Sequence, residues 1–175
     1  MNNLFADVLV QDLEPDDVLW IHDYHLMLLP SLVRKRRPEL QIGFFLHIPF
    51  PSYEIFRLLP AAWRHALLEG LLGADLIGFH THDYSQDFLK CVLRLLGYEH
   101  KLGKIFLPDR LVQVETFPMG IDYNRYHDAL NHPVALSERH TLQTKTANKK
   151  IMLSIDRLDY TKGLTHRLLD YERFL

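Results

Sequence analysis

The sequence predicts an α/β protein built on a parallel sheet, and three observations carry that expectation. Short runs of four or five apolar residues recur along the chain, as in Val18-Leu19-Trp20-Ile21, Ile42-Gly43-Phe44-Phe45-Leu46 and Leu76-Ile77-Gly78-Phe79. Between them lie longer segments with apolar residues at helical spacing. Proline or glycine closes these segments, at Pro38, Gly73 and Gly97. Near-continuous apolar strands separated by helices imply a parallel sheet covered on both faces, and right-handed crossovers make it doubly wound.

Taken in order, the first strand is Val18 to Ile21, followed by a helix from Leu26 that stops at Arg37 because Pro38 disfavours helical backbone before it. The run Arg34-Lys35-Arg36-Arg37 is the cationic last turn of that helix, matched to the negative end of its dipole. A second strand, Ile42 to Leu46, enters a loop with Pro49 and Pro51, and a helix then spans Ala61 to Leu72. The third strand is Leu76 to Phe79, and Thr81 caps a helix from about Asp83 to Leu96 that Gly97 ends. Pro108-Asp109 is read as a turn between strands Lys104 to Leu107 and Leu111 to Phe117, after which Pro118-Met119-Gly120 breaks the regular run. Tyr123 to Lys149 is polar and reads as a connector with one or two helices. Ile151 to Ile155 reads as a fresh buried strand, Asp159 to Lys162 as a turn, and Gly163 to Leu175 as a helix. A first domain over residues 1–121, a connector over 122–148 and the opening of a second domain over 149–175 follow from that division. A lone strand–helix unit cannot bury its faces, so the end of the chain is read as a truncation.

Composition narrows the function. The 175 residues are 47% hydrophobic and 24% charged, with a net charge of -2. That balance suits an ordinary folded domain and offers no basic surface for nucleic acid. No apolar run approaches the ~20 residues that cross a bilayer, and the first residues carry no signal-peptide pattern, so a cytoplasmic protein is expected. The single cysteine, Cys91, lies in an apolar stretch and reads as a buried, inert thiol.

Polar residues gather where the strands end: His22-Asp23-Tyr24-His25, His47 before Ile48, and His80-Thr81-His82-Asp83. Ligands of open parallel sheets bind outside the carboxyl ends of strands, so these loops face one crevice. Taken singly, His22, His80 and His82 read as strand-end imidazoles bonded to backbone carbonyls. Asp23 reads equally as a cap of the helix starting near His25 or as a functional carboxylate. A metal site on His22, His25, Asp23 and Asp83 matches no zinc spacing and has no cysteine partner, and no Gly-x-Ser-x-Gly nucleophile elbow exists. A further cluster, Arg157-Leu158-Asp159-Tyr160-Thr161-Lys162-Gly163, leads into a helix. There Arg157 as a planar fork and Lys162 as a point charge suit a diphosphate over free backbone N–H groups.

Five segments resemble the trehalose-6-phosphate synthase family in order and spacing: Trp20-Ile21-His22-Asp23-Tyr24-His25-Leu26, Gly43 through Pro51, Gly78-Phe79-His80-Thr81, Phe117 through Asp122, and Asp156 through Leu164. The resemblance spans nearly the whole chain. It implies a glycosyltransferase-B architecture and retaining transfer of glucose from UDP-glucose to glucose 6-phosphate, with no cofactor and no metal. By motif, Asp23 and Tyr24 correspond to acceptor-binding residues. His47 and Ile48 correspond to residues around the transferred glucose, and Arg157 and Lys162 to the pair holding the donor diphosphate. The catalytic set it implies is Asp23, His47, Arg157 and Lys162. It also implies that the family's glycine-rich loop precedes this chain and that further donor-site residues follow Leu175, so the chain alone is expected to be inactive. A homo-oligomer is compatible with the family. Synthases with another acceptor or donor, and a catalytically silent regulatory module, are the competing readings.

Overall fold

A computed structural model describes residues 1–147 and 149–175. The chain divides into two compact units, Met1–Gly120 and Ile121–Leu175.

The first unit carries a six-stranded sheet of β1 (Val18–His22), β2 (Gln41–Leu46), β3 (Leu76–Phe79), β4 (His100–Lys101), β5 (Lys104–Phe106) and β6 (Leu111–Thr116), ordered β1-β2-β3-β6-β5-β4. Strands β1, β2, β3 and β6 run parallel; β5 pairs antiparallel with β6 and with β4 at the edge. The α/β class and the three leading strands therefore fall where the apolar runs place them. The Pro108-Asp109 turn is also present, closed by Leu107 N–H donating to Arg110 O at 3.0 Å.

Register explains which residues meet. Ile21, Phe44, Ile77 and Val114 stand in one row across the parallel strands, and Trp20, Gly43, Leu76 and Gln113 in the next. Successive side chains of a strand point to opposite faces. The first row belongs to the core, where it meets Ala6 of α1 (Asn2–Asp12), Leu29 and Val33 of α2 (Leu29–Arg34), Leu68 of α4 (Ala61–Leu71) and Phe88 of α5 (His82–Leu96). A short helix, α3 (Tyr53–Phe56), adds Phe56. The face that carries the second row is open: Val18 and Trp20 are 66% and 65% exposed, and Phe45, though buried, lies outside that core. Among the described residues that face stays uncovered. An apolar strand shows that burial is favourable, and only the fold shows whether an element arrives to provide it.

Helix ends follow local chemistry. The Thr81 hydroxyl accepts from Tyr84 N–H and Gly97 closes α5 in the left-handed region at φ 76°, as the sequence predicts. The helix expected over Leu26 to Arg37 is shorter, because a 3-10 turn occupies Tyr24–Leu26 and α2 begins only at Leu29. Pro30 sits in its first turn, where a missing N–H costs nothing. Helices α1 and α3 carry no sequence signal strong enough to predict them. The basic run is spent on structure: Arg34 pairs with Asp75 at 2.6 Å, Arg36 with Asp7 at 2.6 Å and Arg37 with Glu39 at 2.8 Å. The hydrogen bond from Arg37 holds the Glu39 carboxyl below its ordinary pKa. Asp75 also accepts from Ile42 N–H at 2.8 Å and lies 3.5 Å from Arg110, so one carboxylate joins α2, β2 and the approach to β6. Burial lowers the pKa of Arg110, whose guanidinium donates to Leu72 O and Ala74 O. Cys91 is buried in the core and burial pushes its thiol up to about 12, which makes it a poor nucleophile.

The second unit holds α6 (Tyr123–Asp128), a 3-10 turn over Ala129–Asn131, α7 (Pro133–Lys145), a 3-10 turn over Tyr160–Lys162 and α8 (Leu164–Phe174). The helices expected between Tyr123 and Lys149 are therefore present. The strand expected over Ile151 to Ile155 is not: those residues form no ladder, and Ile151, Met152, Leu153 and Ile155 are all exposed. A strand is stabilised by its partner's hydrogen bonds, and no described residue supplies one here.

Candidate active site

The three parallel strands β1, β2 and β3 end on one edge of the sheet because His22, Phe45 and Gly78 share a row. The following residues, Asp23, His47 and His80, project from that edge. His22 Nδ1 lies 2.9 Å from His47 Nε2, and the two rings are inclined by 24°. The ring of Phe45 packs against His47 at 4.8 Å and against His80 edge-on at 4.9 Å, while His47 and His80 are 5.6 Å apart. Trp20 backs His22 at 4.7 Å. The expectation that His22 bonds a backbone carbonyl is corrected: its partner is another imidazole, brought there by strand pairing between residues 25 apart in sequence.

Asp23 is both the cap the sequence suggests and something more. Its carboxylate accepts from Tyr24 N–H at 3.0 Å and starts the 3-10 turn. Its backbone stands at φ 69° and ψ 167°, a region populated almost only by glycine and costing about 1–3 kcal/mol for other residues. The conformation is held from two sides: Asp23 N–H donates to Phe45 O at 2.9 Å, and Asp23 O accepts from Leu26 N–H at 3.2 Å. A strained non-glycine residue at a strand end, pinned to the neighbouring strand, is the strongest mark of function in the unit. Tyr24 is exposed with its ring against His25 at 3.8 Å, and Ile48 is exposed beside His47. Among the described residues no three His, Cys, Asp or Glu side chains converge to hold a metal ion.

A recess of about 600 Å³ touches His22 and His47 but extends along the open sheet face past Trp20 to Val18 and Leu76, and its wall excludes Asp23 and Ile48. It is the uncovered face of the sheet, and it does not define a ligand's outline.

In the second unit, Asp159 organises the turn that carries Arg157 and Lys162. Its carboxylate accepts from Thr161 N–H and Thr161 Oγ1, both at 2.8 Å, and Lys162 N–H donates to Asp159 O at 3.1 Å. The Thr161 N–H bond, then the hydroxyl, holds the Asp159 carboxyl below its ordinary pKa, with Lys162 and Arg157 adding smaller attractions. Gly163 turns the chain into α8 at φ 61°, which only glycine adopts without strain. Arg157 and Lys162 are exposed. A residue the sequence does not single out, Arg167, ties this segment to α8: it pairs with Asp156 at 2.8 Å, donates to Ser154 Oγ and reaches Lys162 O at 3.3 Å. Only its position one turn into an amphipathic helix signals it.

The profile of glycosyltransferase family 20 matches residues 1–175. The chain belongs to that family. A bifunctional trehalose-6-phosphate synthase/phosphatase of Thermoproteus tenax is 47% identical over all of this chain, which spans 24% of that protein. An α,α-trehalose 6-phosphate synthase structure from Burkholderia multivorans superposes with a TM-score of 0.80 at 34% identity, over 98% of this chain and 37% of that one. An E. coli trehalose-6-phosphate structure bound with UDP-2-fluoro glucose gives a TM-score of 0.77 at 37% identity, over 98% of this chain and 38% of that one. The chain thus spans about a quarter of the Thermoproteus relative and under two-fifths of the solved ones. As a family 20 member it has the glycosyltransferase-B type of α/β fold. Among its described residues no helix is long and apolar enough to cross a membrane.

Proposed function

We propose that this family 20 chain is part of a cytoplasmic enzyme that moves glucose from UDP-glucose to glucose 6-phosphate with retention, forming trehalose 6-phosphate. The relatives' names and the UDP-2-fluoro glucose bound to the E. coli protein support the substrate class. The observation that carries the reading is the glycine-type backbone of Asp23, held by Phe45 O at the end of β1. Strain of this kind persists where the surrounding structure enforces it, and it gathers at ligand clamps and active sites.

In this reading residues 1–121 belong to the acceptor-binding domain, 122–148 to a connector and 149–175 to the start of the nucleotide-sugar domain. Asp23 accepts hydrogen bonds from acceptor hydroxyls, with Tyr24 beside it. His47 and Ile48 meet the transferred glucose. Arg157 and Lys162 hold the donor diphosphate and stabilise the charge that builds on it as the glycosidic bond breaks. The acceptor hydroxyl arrives on the face the diphosphate leaves, so no protein nucleophile is needed. Removing one preorganised donor of this type costs on the order of 10²–10³ in rate.

The test uses the natural gene product. Arg157→Ala and Lys162→Ala are expected each to weaken UDP binding in calorimetry and to depress turnover. Asp23→Ala is expected to depress turnover with glucose 6-phosphate while leaving UDP affinity near wild type. Unchanged UDP affinity in both cation variants would overturn the donor assignment. The 175-residue chain alone is expected to release no UDP from UDP-glucose and glucose 6-phosphate.

A further inference from the structure

We propose that His22 is a positioning residue: it fixes the ring of His47 so that one defined nitrogen meets the donor sugar. The inference rests on the glucosyltransferase reading and deepens it at one residue. His22 and Trp20 are two apart on β1 and so share the open face of the sheet. Strand pairing sets His22 opposite Phe45, two residues before His47. The His47 ring is therefore constrained twice. Its side packs on Phe45 at 4.8 Å, and its Nε2 edge bonds His22 Nδ1 at 2.9 Å. The centroids are 5.1 Å apart while the nitrogens approach to 2.9 Å, so the two near-parallel rings meet edge to edge, as an N–H···N bond requires. Trp20 packs against His22 at 4.7 Å.

The chemical consequence follows from the two nitrogens of imidazole. In the neutral pair one ring donates and the other accepts. Whichever ring carries the bridging proton, His47 Nε2 is occupied. Nδ1 is then the nitrogen left to a hydroxyl of the glucose, and its role as donor or acceptor is set by His22. Without His22 the His47 side chain, exposed on a loop, keeps its packing on Phe45 and His80 but loses the hydrogen bond that sets its tautomer and the turn of its ring. A group held in one orientation loses less freedom when the ligand binds.

Calorimetry of the natural gene product with UDP and with UDP-glucose tests the assignment. His22→Leu is expected to lower UDP-glucose affinity about tenfold, in line with one lost hydrogen bond and its ordering effect, and to leave UDP affinity unchanged. His22→Asn, whose side-chain amide reaches the Nδ1 position, is expected to restore most of the loss. Equal affinities for UDP-glucose in wild type and His22→Leu would overturn the proposal, and so would parallel losses for UDP and UDP-glucose, which mark general damage. Should His22→Leu fail to fold, the wild-type 175-residue chain labelled with ¹⁵N answers instead. A coupling between His22 Nδ1 and His47 Nε2 across the hydrogen bond is expected, and its absence overturns the proposal. A wild-type protein that binds neither UDP nor UDP-glucose would remove the glucosyltransferase reading itself. Wild-type UDP-glucose binding that His22→Leu leaves intact would remove only the role of His22.

Discussion

The two units hold their candidate site residues by different means. In Met1–Gly120 these groups are tied to residues far along the chain: Asp23 to Phe45, His47 to His22, and Asp75 to Arg34, Arg110 and Ile42. All the buried hydrophobic side chains lie between Ala6 and Val114. In Ile121–Leu175 no described side chain is buried, and the Arg157–Lys162 segment is organised by bonds within a few residues of itself and by Arg167. The contrast teaches that a strained or strictly oriented group requires a packed scaffold. The cations Arg157 and Lys162 instead stand on a turn and a helix start organised by bonds within their own segment.

The hardest test of that contrast is core truncation. Phe79→Ala should cost about 3–5 kcal/mol of unfolding free energy in urea titration, since it empties a fully buried site among Phe50 and Phe88. Leu153→Ala should cost within about 0.5 kcal/mol, because its side chain is exposed. Comparable costs would show that the second unit has a core after all.

Breaking one carboxylate in each unit should separate them less widely. Asp75→Ala leaves Ile42 N–H and the part-buried Arg34 and Arg110 without their shared acceptor, so about 2 kcal/mol is expected. Asp156→Ala removes one ion pair with Arg167, expected to cost about 0.2–1 kcal/mol. The same denaturant titrations report both values.

A further substitution sharpens the claim about strain. Asp23→Gly relieves a glycine-type backbone worth about 1–3 kcal/mol and loses a cap that costs only a few tenths when glycine replaces it. The first unit should therefore gain about 1 kcal/mol while turnover of the natural gene product falls. A loss of stability would mean the strain is absent.

The smallest effect is in pH. Asp159 has a folded-state pKa below its unfolded value, so its contribution to the turn is complete above the ordinary aspartate pKa of about 3.9 and fades as pH falls through the lower folded value. The Thr161 amide resonance should follow that titration in NMR, with a midpoint below the ordinary aspartate value. A midpoint at or above it would refute the hydrogen bonds from Thr161.

Much of this architecture was readable because its signals are local. Leu76–Phe79 is a four-residue apolar run and becomes β3; Thr81 and Gly97 bracket α5 because a hydroxyl cap and a left-handed glycine act within one turn. The candidate residues Asp23 and His47 were readable as polar groups at strand ends. The strand expected at Ile151 to Ile155 failed because apolar character alone cannot supply a partner. The histidine pair was hidden because it joins residues 25 apart and depends on strand register.

By itself, then, the sequence determined the parallel strand–helix alternation, the helix caps and the residue types gathered at the strand ends, since each follows from near neighbours in the chain. The tertiary structure alone decided that the helices pack on one face of the sheet, that Asp75 is a hub, that Asp23 is held in a glycine conformation and that His22 meets His47. Those four outcomes depend on which strand lies beside which and in what register, a choice made by long-range packing and not written in any local segment.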